Sequence, residues 1–171
     1  MRGLNRQAKD REIKTLKKKF GEWGLAPNAT IQLTDETLEA IISDVDGSAP
    51  LVEWAEKLGY VLKALQLSTS QIRNIFGTVR QIEMDWEGQA LAEEEREDAV
   101  RQAAKRLGLL RPKLAYQAGR QQGKGKEGVQ ALADVLTPAI SLVGQDPNRF
   151  QNFVSFFEAI LAYHTAAGGQ Q

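Results

Sequence analysis

Residues 67–82 read LSTSQIRNIFGTVRQI, a helix that carries its own start signal. Ser68 and Gln71 have the spacing of a capping box, in which each side chain bonds the other residue's backbone N–H. Leu67 and Ile72 are placed to close a hydrophobic staple around that box. Ile72, Ile75, Phe76, Val79 and Ile82 then fall on one helical face. Arg73, Gly77 and Arg80 lie along another, four and three residues apart. One side of this helix is built for a core. The other offers two cations around a glycine, a position that lets a second chain approach closely.

The same period governs most of the chain. Thr34 is placed as an N-cap for Leu38, Ile41, Ile42 and Val45, with Leu33 as staple partner to Leu38. Pro50 stands where a first helical turn tolerates proline, ahead of Leu51, Trp54, Ala55, Leu58, Leu62 and Leu65. Val100, Ala103, Ala104 and Leu107 follow an acidic start that suits a helix N-terminus, and Gly108 reads as the end of that helix. Pro112 then opens a short helix with Leu114, Ala115 and Ala118 inward. Gly119 to Gly128 reads as a glycine-rich basic loop. Val129, Leu132, Ala133, Leu136, Ile140 and Val143 form a further stripe, which Pro138 should kink or split. Asp146 and Pro147 are a cap-plus-first-residue start for Phe150, Phe153, Val154, Phe157, Ile160, Leu161 and His164. No segment alternates in the manner of a strand. The pattern predicts an all-α, compact bundle of six to seven helices in a single domain. A basic N-terminal segment at 1–33, partly helical or mobile, precedes a helical domain at 34–166 and a disordered tail at 167–171.

A chain of 171 residues is long enough for a genuine core. Its 22 basic and 22 acidic residues balance, so only their distribution is informative. Residues 1–20 carry a local +6, residues 83–98 a local −7, and residues 99–126 hold eight Lys or Arg and no acid. Such blocks are compatible with nucleic-acid contact and equally with solvated helix faces. The absence of cysteine excludes disulfides, thiolate metal sites and cysteine nucleophiles. No apolar run follows the basic start as in a secretory signal, and none approaches the ~18 residues of a membrane span. These features fit a soluble, cytoplasmic protein.

Candidates for catalysis are few. His164, the one histidine, ends an apolar face, where a packed ring or one complementing the helix C-terminus is expected rather than a general base. Glu93, Glu94, Glu95, Glu97 and Asp98 are contiguous, so a helix spreads them instead of converging them on a metal. The run from Gly119 to Lys124 lacks the four-residue gap, the following Ser or Thr and the preceding strand of a phosphate loop. It leaves a basic loop whose Lys124 and Lys126 are available to phosphates. No catalytic residue, metal site or cofactor is expected.

Binding candidates are better defined. Lys113, Gln117 and Arg120 repeat the spacing of the first helix, so two helices each present two cations roughly 10 Å apart at 1.5 Å per residue. Such rows suit a phosphate backbone. Tyr116, the one aromatic of the basic block, is placed either to stack on a base or to pack beside Leu114 and Ala118. Phe156 and Tyr163 widen the apolar arc of the last helix. Either that helix is central in the bundle, or these two residues contact another subunit.

Three blocks, TSQIRNIF at 69–76, LLRPKLAYQAGR at 109–120 and RFQNFVSFFEAILAYH at 149–164, together resemble the small subunit of the type III-A CRISPR effector, the Csm complex. Their order and spacing are similar as well. The resemblance runs roughly from Leu51 to His164 and does not include residues 1–34 or 83–98. It implies a non-catalytic helical protein whose copies stack as a filament with the other effector subunits. That filament would lie beside the guide-RNA backbone filament and line the channel for single-stranded target RNA. Base pairing reads the sequence in such complexes, so this subunit need only grip a backbone. The resemblance makes Arg73, Arg111, Lys113 and Arg120 candidates for RNA contact. Arg80 joins them from the stripe and Lys124 from the loop. Two other readings remain open. One is a helix-turn-helix DNA-binding regulator built from residues 51–66, the turn at 67–69 and the following helix. The other is an adaptor that binds proteins through its aromatic helix.

Overall fold

The computed structural model describes residues 2–43, 48–87 and 92–168. These residues form seven helices and no strand: α1 (Arg2–Glu22), α2 (Asp35–Ser43), α3 (Ala49–Ala64), α4 (Thr69–Glu87), α5 (Glu93–Arg120), α6 (Lys126–Val143) and α7 (Pro147–Ala166). The all-α bundle expected from the periodicity is correct. Val45 of the α2 stripe and residues 169–171 of the expected tail lie outside the described residues. Ala167, also placed in that tail, is buried.

The starts of three helices follow their sequence signals. The Gln71 N–H donates to Ser68 Oγ over 3.1 Å, and the Ser68 N–H donates to Gln71 Oε1 over 3.0 Å. Thr34 Oγ1 accepts the Thr37 N–H at the start of α2. Asp146 Oδ1 accepts the Asn148 and Arg149 N–H groups at the start of α7. Each cap satisfies donors that the first helical turn leaves without partners.

Several boundaries differ from expectation. Gly108 does not end a helix and Pro112 does not begin one, because α5 runs unbroken through both. A proline ring in a helix interior removes one hydrogen bond and crowds the carbonyl four residues back, at a cost of about 3 kcal/mol. Here that carbonyl belongs to Gly108, beside which a Cβ would find open space, so it has room to tilt. Burial of Leu107, Leu110 and Leu114 on one continuous stripe contributes about 1.5–3 kcal/mol per side chain, enough to outweigh the proline. Ala115, expected inward, is exposed. Likewise Pro138 does not split α6, whose buried stripe continues from Leu136 to Ala139, Ile140 and Val143. The loop expected over 119–128 shrinks to residues 121–125.

The last helix is the centre of the bundle. It packs against α2, α3, α4 and α6 and buries Phe150, Phe153, Phe156, Phe157, Ile160 and His164. Phe157 meets Phe76 of α4 edge to face, with ring centroids 5.2 Å apart, and Phe150 stacks on Trp86 at 4.5 Å. Asn152 donates to the Ile42 carbonyl at the end of α2. Arg149 donates to the Leu142 carbonyl near the end of α6 and pairs with Glu39. The α3–α7 pair is the most intimate. A Cβ at Gly59 would lie 2.6 Å from the His164 backbone nitrogen and from Tyr163 Cβ, so only glycine admits this crossing.

The turn between α3 and α4 is gripped from several sides. Gln66 adopts φ 64°, and the N–H groups of Gln66 and Leu67 donate to the carbonyls of Lys63 and Leu62. This is a Schellman closure with a non-glycine residue in the left-handed position. Leu67 is buried beside it. A Cβ at Gly128 of α6 would lie 2.9 Å from Leu67 Cβ. From α7, His164 Nε2 donates to the Leu67 carbonyl over 2.8 Å, while Nδ1 has no partner among the described residues. A carbonyl only accepts, so Nε2 carries the proton.

The basic N-terminal segment is helical over Arg2–Glu22. Phe20, near the end of α1, is buried beside Trp23, which follows the helix and meets Tyr60 of α3 edge to face at 5.6 Å. Lys19 pairs with Glu56, and Glu12 pairs with Lys63.

Urea unfolding should separate two of the glycines. Gly59→Ala lowers the unfolding free energy by about 1–3 kcal/mol through overpacking. Gly77→Ala, at a helical position with open space around it, raises it by about 0.5–1 kcal/mol. The histidine adds a pH dependence. Burial holds the pKa of His164 below its ordinary 6.5, with Lys63 adding to the effect and the Leu67 hydrogen bond opposing it. The unfolded chain therefore binds the proton more readily. The stabilising contribution is complete above pH 6.5 and is lost as pH falls toward the folded-state value. Urea midpoints of the native chain should decline through that window, and a His164→Gln variant should show a smaller decline.

Candidate nucleic-acid interface

Helices α4 and α5 run antiparallel, and two contacts fix their register. Asp85 pairs with Arg106. Seven residues further along each helix, Lys113 Nζ donates to Thr78 Oγ1 over 3.1 Å. Beyond these contacts the two helices enclose a groove lined by Gln71, Asn74, Gln117, Arg120 and Gln121. Lys113 and Arg120 therefore stand beside α4 along its whole N-terminal half.

At about 100° per residue, Gly77 lies between Arg73 and Arg80 on one flank and Thr78 and Asn74 on the α5-facing flank. The two cation rows are banks on either side of this bare position, and no side chain fills the space at Gly77. The charges on the banks are unequal. Arg80 is paired with Glu83, three residues on, and Arg106 with Asp85. Arg73, Lys113 and Arg120 are exposed and form no salt bridge among the described residues. Acids thus neutralise the face at the C-terminal end of α4 and leave it cationic at the N-terminal end.

The structure separates the other candidates. Arg111 is only two residues from Lys113, but two residues turn a helix by about 200°. Its side chain lines a different groove, with Asp35, Glu36 and Glu39 of α2 and Pro138 of α6, so Arg111 is not part of the α4–α5 face. Lys124 is exposed in the α5–α6 loop, with its carbonyl held by Gln121 Nε2. That loop closes against the α3–α4 turn at Gly125, where a Cβ would lie 2.8 Å from the Gln66 carbonyl oxygen. Lys124 lines a separate groove there, with Pro27, Asn28, Ala64 and Gln66.

Phe156, considered as a subunit contact, is 0% exposed and belongs to the core; the wide arc reflects the central place of α7. Tyr163 is half-buried where α7 crosses Gly59. Tyr116 does not pack beside Leu114 and Ala118 but stands 65% exposed. Thr78, not singled out from the sequence, bonds Lys113 of α5, and Asn74 lines the groove beside Gln117. The signal for Thr78 is modest: a short polar residue beside the apolar stripe, at a register that only the pairing of α4 with α5 defines.

These features define an all-helical protein with a cationic face on one helix pair. The Csm2 type III-A family model matches residues 46–170, which take in α3 through α7 and leave out α1 and α2. The chain belongs to this family, that of the small subunit of the type III-A CRISPR Csm complex. No curated protein and no solved structure matches the chain.

Proposed function

We propose that the chain is a non-catalytic subunit of a type III-A ribonucleoprotein and that its α4–α5 face grips an RNA backbone without reading sequence. The observation that carries this reading is the set of exposed cations, Arg73, Lys113 and Arg120, with no acidic partner among the described residues, on two banks around Gly77. Point charges on an open face suit phosphates, which fix position and carry no sequence information. The partners in this reading are the other effector subunits, guide RNA, single-stranded target RNA and further copies of the chain, in the cytoplasm.

The rival readings find less support. A recognition helix needs free polar side chains at its N-terminus, whereas the Gln71 amide oxygen is engaged in the cap. An adaptor surface on the aromatic helix would need Phe156 accessible, and it is not.

The test is binding of a single-stranded oligonucleotide by the full chain across a salt series. The triple variant Arg73→Ala, Lys113→Ala, Arg120→Ala should bind more weakly. Its salt slope should fall by roughly 0.7 for each phosphate that the variant no longer neutralises. Arg111→Ala should have little effect, and Arg80→Ala an effect smaller than any of the three. A folded triple variant with unchanged affinity would sink the assignment of this face. Tighter binding to duplex DNA than to single-stranded RNA would favour the regulator instead.

A further inference from the structure

We infer that Tyr116 is a stacking platform for one unpaired base of the strand held on the α4–α5 face. The inference rests on the backbone reading above and adds a ligand subsite to it. Tyr116 is 65% exposed, and none of the ring pairs among the described residues includes it. The other tyrosines behave differently: Tyr60 is buried against Trp23, and Tyr163 is half-buried on α3.

Its neighbours say what it would meet. Lys113 precedes it by three residues and Arg120 follows by four, so both are side-chain neighbours of the ring on one helix face. They stand roughly 10 Å apart along the axis, with the ring between them. Lys105 and Leu109 continue the same exposed row, and Leu109 is 58% exposed. Residues 99–126 contain no acid. Cation, ring, cation is the arrangement that holds a single strand: phosphates pair with the charges and a base covers the ring, whatever its identity. An apolar protein segment would find one ring and one leucine in a positive field, a poor match for a hydrophobic interface core, which is depleted of charge.

The test uses the full chain and a labelled oligouridylate, compared with an oligonucleotide of equal length and charge in which the bases are absent. The native protein should bind the base-bearing strand more tightly, by roughly 5- to 150-fold per stacked base. Tyr116→Ala should erase that preference with the salt slope unchanged, and Tyr116→Phe should keep it. Equal binding of the two strands by the native protein, or a preference that survives Tyr116→Ala, would overturn the inference. So would a Tyr116→Ala variant that binds both strands normally yet loses a protein partner. Failure of the backbone reading is seen separately, as indifference of both strands to the triple cation variant. Tyr116 is a surface residue, so circular dichroism should report an unchanged fold.

Discussion

Four helices of this bundle meet at the peptide around Leu67. Helix α3 ends there through a Schellman closure, and α4 begins one residue later through its capping box. Helix α6 stands on the leucine at Gly128, and α7 holds its carbonyl through His164. The contact is possible only because α7 can cross α3 at Gly59 with no Cβ between the backbones. Leu67 buries its own side chain in the core, and replacement of such a leucine by alanine typically costs about 2–5 kcal/mol. The binding face inherits its placement from this junction, because the cap that starts α4 is part of it.

Local signals made much of the fold legible. The boxes at Thr34, Ser68 and Asp146 depend on neighbours within three residues, and the structure contains each of them. What escaped were cases where burial overrode a local rule. Pro112 reads as a helix start by itself, yet Gly108 relieves its ring and the leucine stripe on either side holds α5 together. Gly128 reads as loop composition, yet it serves a close contact with Leu67 that no single-chain pattern announces.

The candidate site was legible to the same degree. The two cation rows could be drawn from spacing, but their register required knowing that α4 and α5 pair antiparallel. Arg111 and Lys113 look like companions in a motif and are turned to opposite sides by the helix. Arg80 looks like Arg73 until Glu83, three residues on, is counted as its partner. Tyr116 was ambiguous because an aromatic beside a leucine reads equally well as core or surface; only its exposure decided. A chain with no net charge can thus present a cationic face, because its acids are placed on some cations and kept from others.

The hydrogen bond from Lys113 to Thr78 also has an entropic side. A free lysine samples many rotamers, and confining one costs up to about 2 kcal/mol. A carboxylate partner would confine it and cancel its charge. The threonine hydroxyl confines it and leaves the charge whole. The ammonium is therefore preorganised while still uncompensated, so an anion arriving at this bank meets a donor whose side-chain freedom has already been reduced by folding.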